Sequence, residues 1–468
     1  MRTLVLFRND LRVADNPALS FAVKQGEAVC LFVYDETLYG GAAKWWLHHS
    51  LLTLGADLGG LHVRAGSQND IVAQMVAEHG IDAVVWNRRY EPEGIAQDTE
   101  LKSQLKEQGI PVESFPGNLL HEPWEIKNKT GGQFKVFSPF WRACLASPEP
   151  VPPLNKPELS ARDFESTQVD ALQLLPTSPD WATGFGPEWT PGEAGAYARV
   201  ERFLEDGLKG YKTGRDRPDQ THVSGLSPHL HFGEITPRQL WHIMTHHVAM
   251  NSDSQRDADK FLSEVGWREF SHQLLFHHPS LPDQNLNTSF DAYPWVESTE
   301  HLQAWQKGQT GYPLVDAGMR ELWVTGYMHN RVRMVVASFL IKHLRINWRE
   351  GAAWFWDCLL DADLANNSAS WQWVAGSGAD AAPYFRIFNP TTQAQKFDPD
   401  GAYIRKWCPE IAALPTKHLH APFEAPAHVL AHAGVQLGET YPKPIVDHKA
   451  ARQAALEGYD KVKSRAAQ

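Results

Sequence analysis

Between residues 3 and 114 the chain alternates five short runs of β-branched and apolar residues, at 3–8, 28–35, 61–64, 82–87 and 111–114, with helical stretches at 43–57, 68–79 and 94–108. Strands separated by helices cannot pair as tight hairpins, so the pattern dictates a parallel sheet wound with helices on both faces. No GxGxxG follows the first run, which argues against a dinucleotide-binding version of that fold. Such sheets present ligand-binding groups in the crevice at the carboxyl ends of their strands. Arg8, Asn9, Asp10, Tyr34, Asp35 and the stretch Asn87 to Glu91 fall there, where they suit a bound ligand as well as plain loop chemistry.

At 468 residues the chain exceeds what a single growing core accommodates, so a second domain is expected. From 115 to 195 the composition turns to Pro, Ser and Gly, with PEPVPPLNKP at 148–157 and PTSPDW at 176–181. That composition marks a connecting segment that wraps the surface, anchored by the more apolar KVFSPFWRA at 135–143. Beyond 193 β-branched runs are scarce and helix starts recur, as in SPHLHFGEITPRQL. The expected organisation is a Rossmann-like α/β doubly wound parallel sheet at 1–128, the connecting segment at 129–195 and an all-α domain at 196–468.

Lys and Arg total 44 against 55 Asp and Glu, and the net charge of −11 has the wrong sign for generic attraction to nucleic acid. The imbalance is uneven: 1–200 carries −8 and 201–468 only −3, which leaves room for a basic rim on the second half. Cys30, Cys144, Cys358 and Cys408 make neither a CxxC pair nor a Cys/His metal spacing, so reduced thiols and no metal site are expected. No apolar run approaches the ~20 residues of a membrane span, and TLVLF opens without a basic leader. The expectation is a soluble cytoplasmic protein.

The densest chemistry lies at 311–393. Within 326–344, Val332, Val335, Val336, Phe339 and Leu340 recur at helical spacing, while Asn330, Arg333, Met334 and Ala337 form a second stripe. An amide and a guanidinium on that stripe fit either a pocket wall or a solvated face. Asp361 and Asp363 stand beside Asn366 and Asn367 without the Gly and distal Glu of a calcium loop. At 211–235, hydroxyls and Gly-containing turns ahead of helix starts suit a pyrophosphate or simple capping. KFLSEVGWREF (260–270) sets Glu264, Trp267 and Arg268 about one turn apart on one helical face. Eleven of the 18 Trp residues lie beyond 200, and most must be core.

Read together and in order, GYPLVDAGMREL, TGYMHNRVRM, NWREG, DADLANNSASWQW and DAAPYFRIFNP closely resemble the flavin-binding core of the DNA photolyase/cryptochrome family. LVLFRNDLRVADNPAL (4–19) resembles that family's opening strand and loop, and YPKPIVDHKAAR (441–452) its closing segment. The resemblance spans essentially the whole chain and is nearest to the bacterial enzymes that act on cyclobutane pyrimidine dimers. It implies FAD, with Tyr211, Val223, Ser224, Gly225, Leu226 and Ser227 at the phosphates and Phe261, Glu264, Arg268, Asn330 and Arg333 among its other contacts. Asp361 and Asp363 are implied at the ribose and ring edge, and Asn367 at N5, where an uncharged amide suits a reduced ring. Val223 stands where the family more often has Thr or Ser, which removes a side-chain bond and keeps the backbone donor. Phe261 replaces a Trp of some relatives.

The same resemblance implies Trp371, Trp348 and Trp295 as an electron relay, since indoles are oxidised transiently within a packed core. UV-damaged DNA is the implied partner of a monomer, with the dimer flipped out of the duplex. Glu264, Trp267, Asn330, Met334, Asn367 and Trp373 are the implied catalytic set. Arg215, Arg331 and Lys396 are implied on DNA phosphates, and Gln393 at the rim of the lesion site. The aromatic and hydrogen-bonding crevice loops around Tyr34 and Trp86 to Glu91 suggest an antenna, methenyltetrahydrofolate before 8-hydroxy-deazaflavin.

Three rivals share these motifs. A cryptochrome photosensor is disfavoured by the lack of a long extension after YPKPIV, by Asn367 where Asp or Cys would stand, and by Trp267 with Trp373. A 6-4 photolyase is expected to carry paired His where this chain has Asn330 and Met334. A flavoprotein electron carrier would use the Trp chain without DNA.

Overall fold

The structure, a computed structural model, describes residues 1–159, 167–381 and 385–466. Part of the connecting segment (160–166) and of the DAAPYFRIFNP motif (382–384) therefore lie outside the described residues. The chain forms two compact units that interleave along the sequence. The first comprises Met1–Lys209, Ser224–Pro279 and Leu360–Ala365, and the second Gly210–Val223, Ser280–Leu359 and Asn366–Gln468.

The first unit begins with β1 (Arg2–Phe7), α1 (Pro17–Gln25), β2 (Glu27–Tyr34), α2 (Gly41–Leu58), β3 (His62–Ala65), α3 (Gln68–His79), β4 (Ala83–Asn87), α4 (Pro92–Glu107) and β5 (Val112–Phe115). The strands pair in parallel in the order β3-β2-β1-β4-β5. Because side chains alternate across the pleat, Leu4, Leu6, Val29, Leu31, Val84 and Trp86 share one face, where they pack with Val72 and Met75 of α3 and Leu101 and Leu105 of α4. Burying those ten side chains is the main local driving force, at ~1.5–3 kcal/mol for each large aliphatic removed from water. The periodic reading places every strand within about a residue, but it contains no helix at 17–25. That nine-residue helix is set by its start, where the Asn16 side chain accepts a hydrogen bond from Leu19 N and Pro17 pre-sets φ.

Beyond the sheet, the anchor segment forms α5 (Phe137–Ala146), followed by α6 (Pro237–Met250) and the 23-residue α7 (Gln255–His277). Thr236 and Gln239 close a capping box at the start of α6. α5 and α7 approach closely at Gly266, where a Cβ would stand 2.4 Å from the Trp141 ring. The β1–α1 loop is tied into the helical part by buried polar groups. Arg12 donates to Gly233 O at 3.0 Å, Asp15 accepts from Thr236 and Arg238, and Glu193 accepts from Val13 N at 2.7 Å.

The second unit is helical, with α8 (Pro313–Thr325), α9 (Asn330–Ser338), α10 (Trp348–Cys358), α11 (Leu364–Ala375, from Asn366 on), α12 (Pro390–Phe397) and α13 (His448–Ala466). The helix expected at 326–344 is shorter than its apolar period. Gly326, in the left-handed region at φ 67°, ends α8, and the His329 side chain accepts from Arg331 N to start α9. The apolar stripe then continues through a π turn at Phe339–His343, which keeps Phe339 and Leu340 fully buried. Asp316 binds α8 to its surroundings, accepting from Thr310 N and Oγ1 at 2.6 Å each, Gly311 N at 3.0 Å and Tyr441 OH at 2.7 Å. Tyr441 opens the YPKPIV segment, so that segment closes this unit. Among the described residues no helix is long and apolar enough to cross a membrane.

Candidate functional site

In the first unit, α7 presents Glu264, Trp267 and Arg268 on one face, all half-buried. Lys260 pairs with Glu264 at 2.5 Å, the i,i+4 geometry the helix imposes. Trp267 lies flat against Phe137 of α5, ring centroids 3.9 Å apart and planes 10° from parallel. Arg268 donates to Asn118 O at 2.6 Å, and its neighbour Glu269 accepts from Leu120 N at 2.8 Å and His121 N at 3.4 Å. Burial pushes the Glu269 carboxyl up to about 7. Phe261, buried one turn before Glu264, packs on Phe203 with centroids 4.9 Å apart.

Asp363, from the separate stretch 360–365, meets the same helix. Its Oδ2 lies 3.4 Å from His272 Nε2 and 4.0 Å from His231 Nδ1. Burial alone would raise this carboxyl, but His272, Arg268 and His231 outweigh it and hold it well below the ordinary range. Asp361 is half-buried two residues before. His272 was not among the expected residues, although it stands four after Arg268, so helical spacing alone places it on that face.

The loop at 224–227 is shaped by Gly225 at φ 65°, where a Cβ would also come within 2.5 Å of Arg199 Nη1. Ser224 Oγ accepts from Leu226 N at 3.4 Å, Leu226 is buried and Ser227 half-buried. The helix that follows, Ser227–His231, is only five residues long, so the loop's backbone and hydroxyls matter more than a helix dipole.

The crevice loops after β1 and β4 are tightly self-bonded. Arg8 grips Asp98 at 3.0 and 3.1 Å and Asn87 O at 2.6 Å, and Asn87 donates to Asp10 at 2.7 Å. Tyr90 donates to Glu122 at 2.8 Å. Tyr34, Tyr39 and Phe232 stack in turn with near-parallel rings, centroids 6.1 and 6.3 Å apart.

In the second unit, Asn330 is exposed at the first turn of α9, whereas Arg333 and Met334 are half-buried and Ala337 is buried. The second stripe thus runs from solvent inward. Arg333 donates to Met328 O at 2.7 Å. Tyr211 is buried, and Arg215 lies 5.8 Å from its ring. Val223 is half-buried. Arg331 and Lys396 both stand over the Phe397 ring, at 4.5 and 5.0 Å, and half-buried Gln393 lies one turn earlier on α12. Asp216, unremarked by sequence reasoning, pairs with Arg331 at 2.9 Å.

Trp348 is fully buried and donates its indole N–H to Asn285 Oδ1 at 3.0 Å. Trp371 is also buried, edge-on to Phe355 and Trp305, with Gly351 leaving room for its ring, since a Cβ there would come within 2.1 Å. Trp295 is half-buried against Tyr293. Asn367 donates to Ala352 O at 3.0 Å, and Trp373 donates to Asp380 O at 3.0 Å.

Two family models match, "DNA photolyase" over residues 3–158 and "FAD binding domain of DNA photolyase" over residues 261–461. The chain is 50% identical to a deoxyribodipyrimidine photo-lyase of Agrobacterium fabrum over 98% of both proteins. It is 39% identical to cryptochrome-1 of Arabidopsis thaliana, over 95% of this chain and 68% of that protein. Among solved structures, a class III photolyase from Agrobacterium tumefaciens superposes with a TM-score of 0.94 at 48% identity, over 99% of this chain and 98% of that one. The sheet order, the helical remainder and these full-length likenesses agree, and the chain belongs to the DNA photolyase family.

Proposed function

We propose that this protein is a light-dependent lyase that splits cyclobutane pyrimidine dimers in DNA, with FAD as its cofactor. The observation that carries the proposal is the likeness to a deoxyribodipyrimidine photo-lyase over 98% of both chains. The residues fit the cofactor chemically. Asp363, kept ionised by His272, Arg268 and His231, is a ready acceptor for a ribose hydroxyl or a ring N–H, and the Gly225 turn with Ser224 and Ser227 offers donors to phosphate.

Reduced FAD, when bound and photoexcited, supplies the electron that opens the cyclobutane ring and takes it back afterwards, so the repair is redox-neutral. The protein's part is to hold and exclude. Trp267 and Trp373 offer flat apolar faces to a flipped dinucleotide, Glu264 and Asn330 offer polar groups to base edges, and Met334 packs without donating a proton. Arg215, Arg331 and Lys396 take the flanking phosphates, with Gln393 at the rim. Tyr211, the backbone at Val223, Leu226, Phe261 and Arg333 complete the set assigned to FAD, and Asn367 is assigned to its N5. Trp371, Trp348 and Trp295 carry electrons inward to load the cofactor. We assign 1–128 as an antenna domain, 129–195 as its connection and 196–468 as the catalytic domain. The antenna is a folate first and a deazaflavin second, and the protein acts as a cytoplasmic monomer.

Blue-light turnover of defined oligonucleotides, read by chromatography, tests the function. Cyclobutane dimers should be restored and 6-4 products left intact, because neither Asn330 nor Met334 is an acid near neutral pH. Failure to convert a cyclobutane dimer, or conversion of a 6-4 product, would overturn the assignment.

A further inference from the structure

Arg331 is held on three sides within the second unit. Its Nη2 donates to Asp216 Oδ1 at 2.9 Å, its plane covers Phe397 at 4.5 Å, and its Nη1 lies 3.5 Å from Met334 Sδ. Its buried Nε has no acceptor among the described residues. Of five donors, one therefore meets a charged acceptor, and the guanidinium keeps capacity for a second anion. Asp216 is about one-third exposed and Arg331 about one-fifth, so the pair borders solvent. The backbone beneath it is fixed as well, since Arg331 N donates to Nδ1 of the buried His329.

We propose that Asp216 is a positioning residue that sets the selectivity for damaged over undamaged DNA by locking the orientation of Arg331. The inference rests on the reading above that Arg331 contacts a DNA phosphate. Undamaged duplex binds through charge alone and in any register, so it gains nothing from an oriented fork and is repelled by a carboxylate at the rim. A flipped lesion instead fixes its flanking phosphates in space, and a guanidinium already aligned by Asp216 and Phe397 meets them without losing further side-chain freedom. Asp216 thus favours geometry over net attraction. That suits a chain whose total charge is −11 and which must disregard intact DNA.

The test is equilibrium binding in the dark, by fluorescence anisotropy over a salt series, of a short duplex with one cyclobutane dimer and of the same duplex undamaged. Asp216→Asn should weaken binding of the damaged duplex about two- to fivefold, the span of an exposed ion pair. Binding of the undamaged duplex should hold or strengthen, and its salt dependence should steepen by up to about one counterion. Asp216→Glu should restore part of the selectivity. Parallel changes for both duplexes, or none, would overturn the proposal, with unchanged thermal unfolding showing that the variant is folded. Arg331→Gln separates the phosphate contact of Arg331 from the positioning role of Asp216. If it leaves both duplexes unaffected, Arg331 makes no DNA contact and the underlying reading falls. If it weakens binding while Asp216→Asn keeps the selectivity, only the role of Asp216 falls.

Discussion

Trp348 is a fully buried indole whose one polar atom is committed to Asn285. Phe at this position keeps most of the packing but cannot be oxidised at accessible potential, and it leaves the Asn285 oxygen unpaired at ~1 kcal/mol. Trp348→Phe should therefore abolish photoreduction of oxidised FAD under blue light and leave repair by chemically pre-reduced enzyme unchanged. Spectra taken during illumination, beside a repair assay of the pre-reduced variant, check both halves, and loss of repair in the second would count against the relay. Residue identity was the legible part here, because aromatic, acidic and amide groups stand in recognisable order. Their partners were not legible. Asn285 lies 63 residues before Trp348, and Asp216 lies 115 before Arg331, beyond the reach of any periodic signal.

Helix α7 shows how an element carries a site and how it responds to pH. Glu269, on its buried side, fastens the 118–121 loop by two backbone hydrogen bonds while Arg268 holds Asn118 O. With its folded-state value raised to about 7, Glu269 contributes most to stability below its unfolded value near 4.5, and that contribution is lost as pH rises through about 7. Glu269→Gln keeps an acceptor for both amides and removes the titration. Its melting temperature should fall less than the wild type's between pH 5 and pH 8, reflecting on the order of 2–3 kcal/mol. Identical pH slopes in thermal unfolding would refute this. Strands and long helices were readable because period 2 and period 3.6 each demand a buried face. Boundaries set by one residue were not, as with the Asn16 cap of α1 and the left-handed Gly326 that shortens the expected 326–344 helix.

For the molecule as a whole, the proposed antenna rests on loop chemistry rather than on a motif. The loops that suggested it in the sequence turn out to spend much of their polarity on each other, through Arg8 with Asp98 and Tyr90 with Glu122. A chromophore there must rely on the aromatic surface near Tyr34 and on side chains other than these. Protein purified from its native host should nonetheless show a second near-ultraviolet absorber beside the flavin, with a matching mass. FAD alone, by absorbance and mass spectrometry, would sink the idea.

The interleaving of the two compact units bears on how such a protein is made. The first unit lacks six of its residues until Leu360–Ala365 has been synthesised, a stretch that begins only after eighty further residues follow Pro279. Among those six is Asp363, the carboxylate that His231 and His272 face. Vectorial synthesis from the N-terminus can therefore complete the sheet early, but a nascent chain stopped at Pro279 still lacks an acidic partner in the middle of its own helical half. A fragment cut there for expression inherits the same defect, and so would a gene split at that boundary.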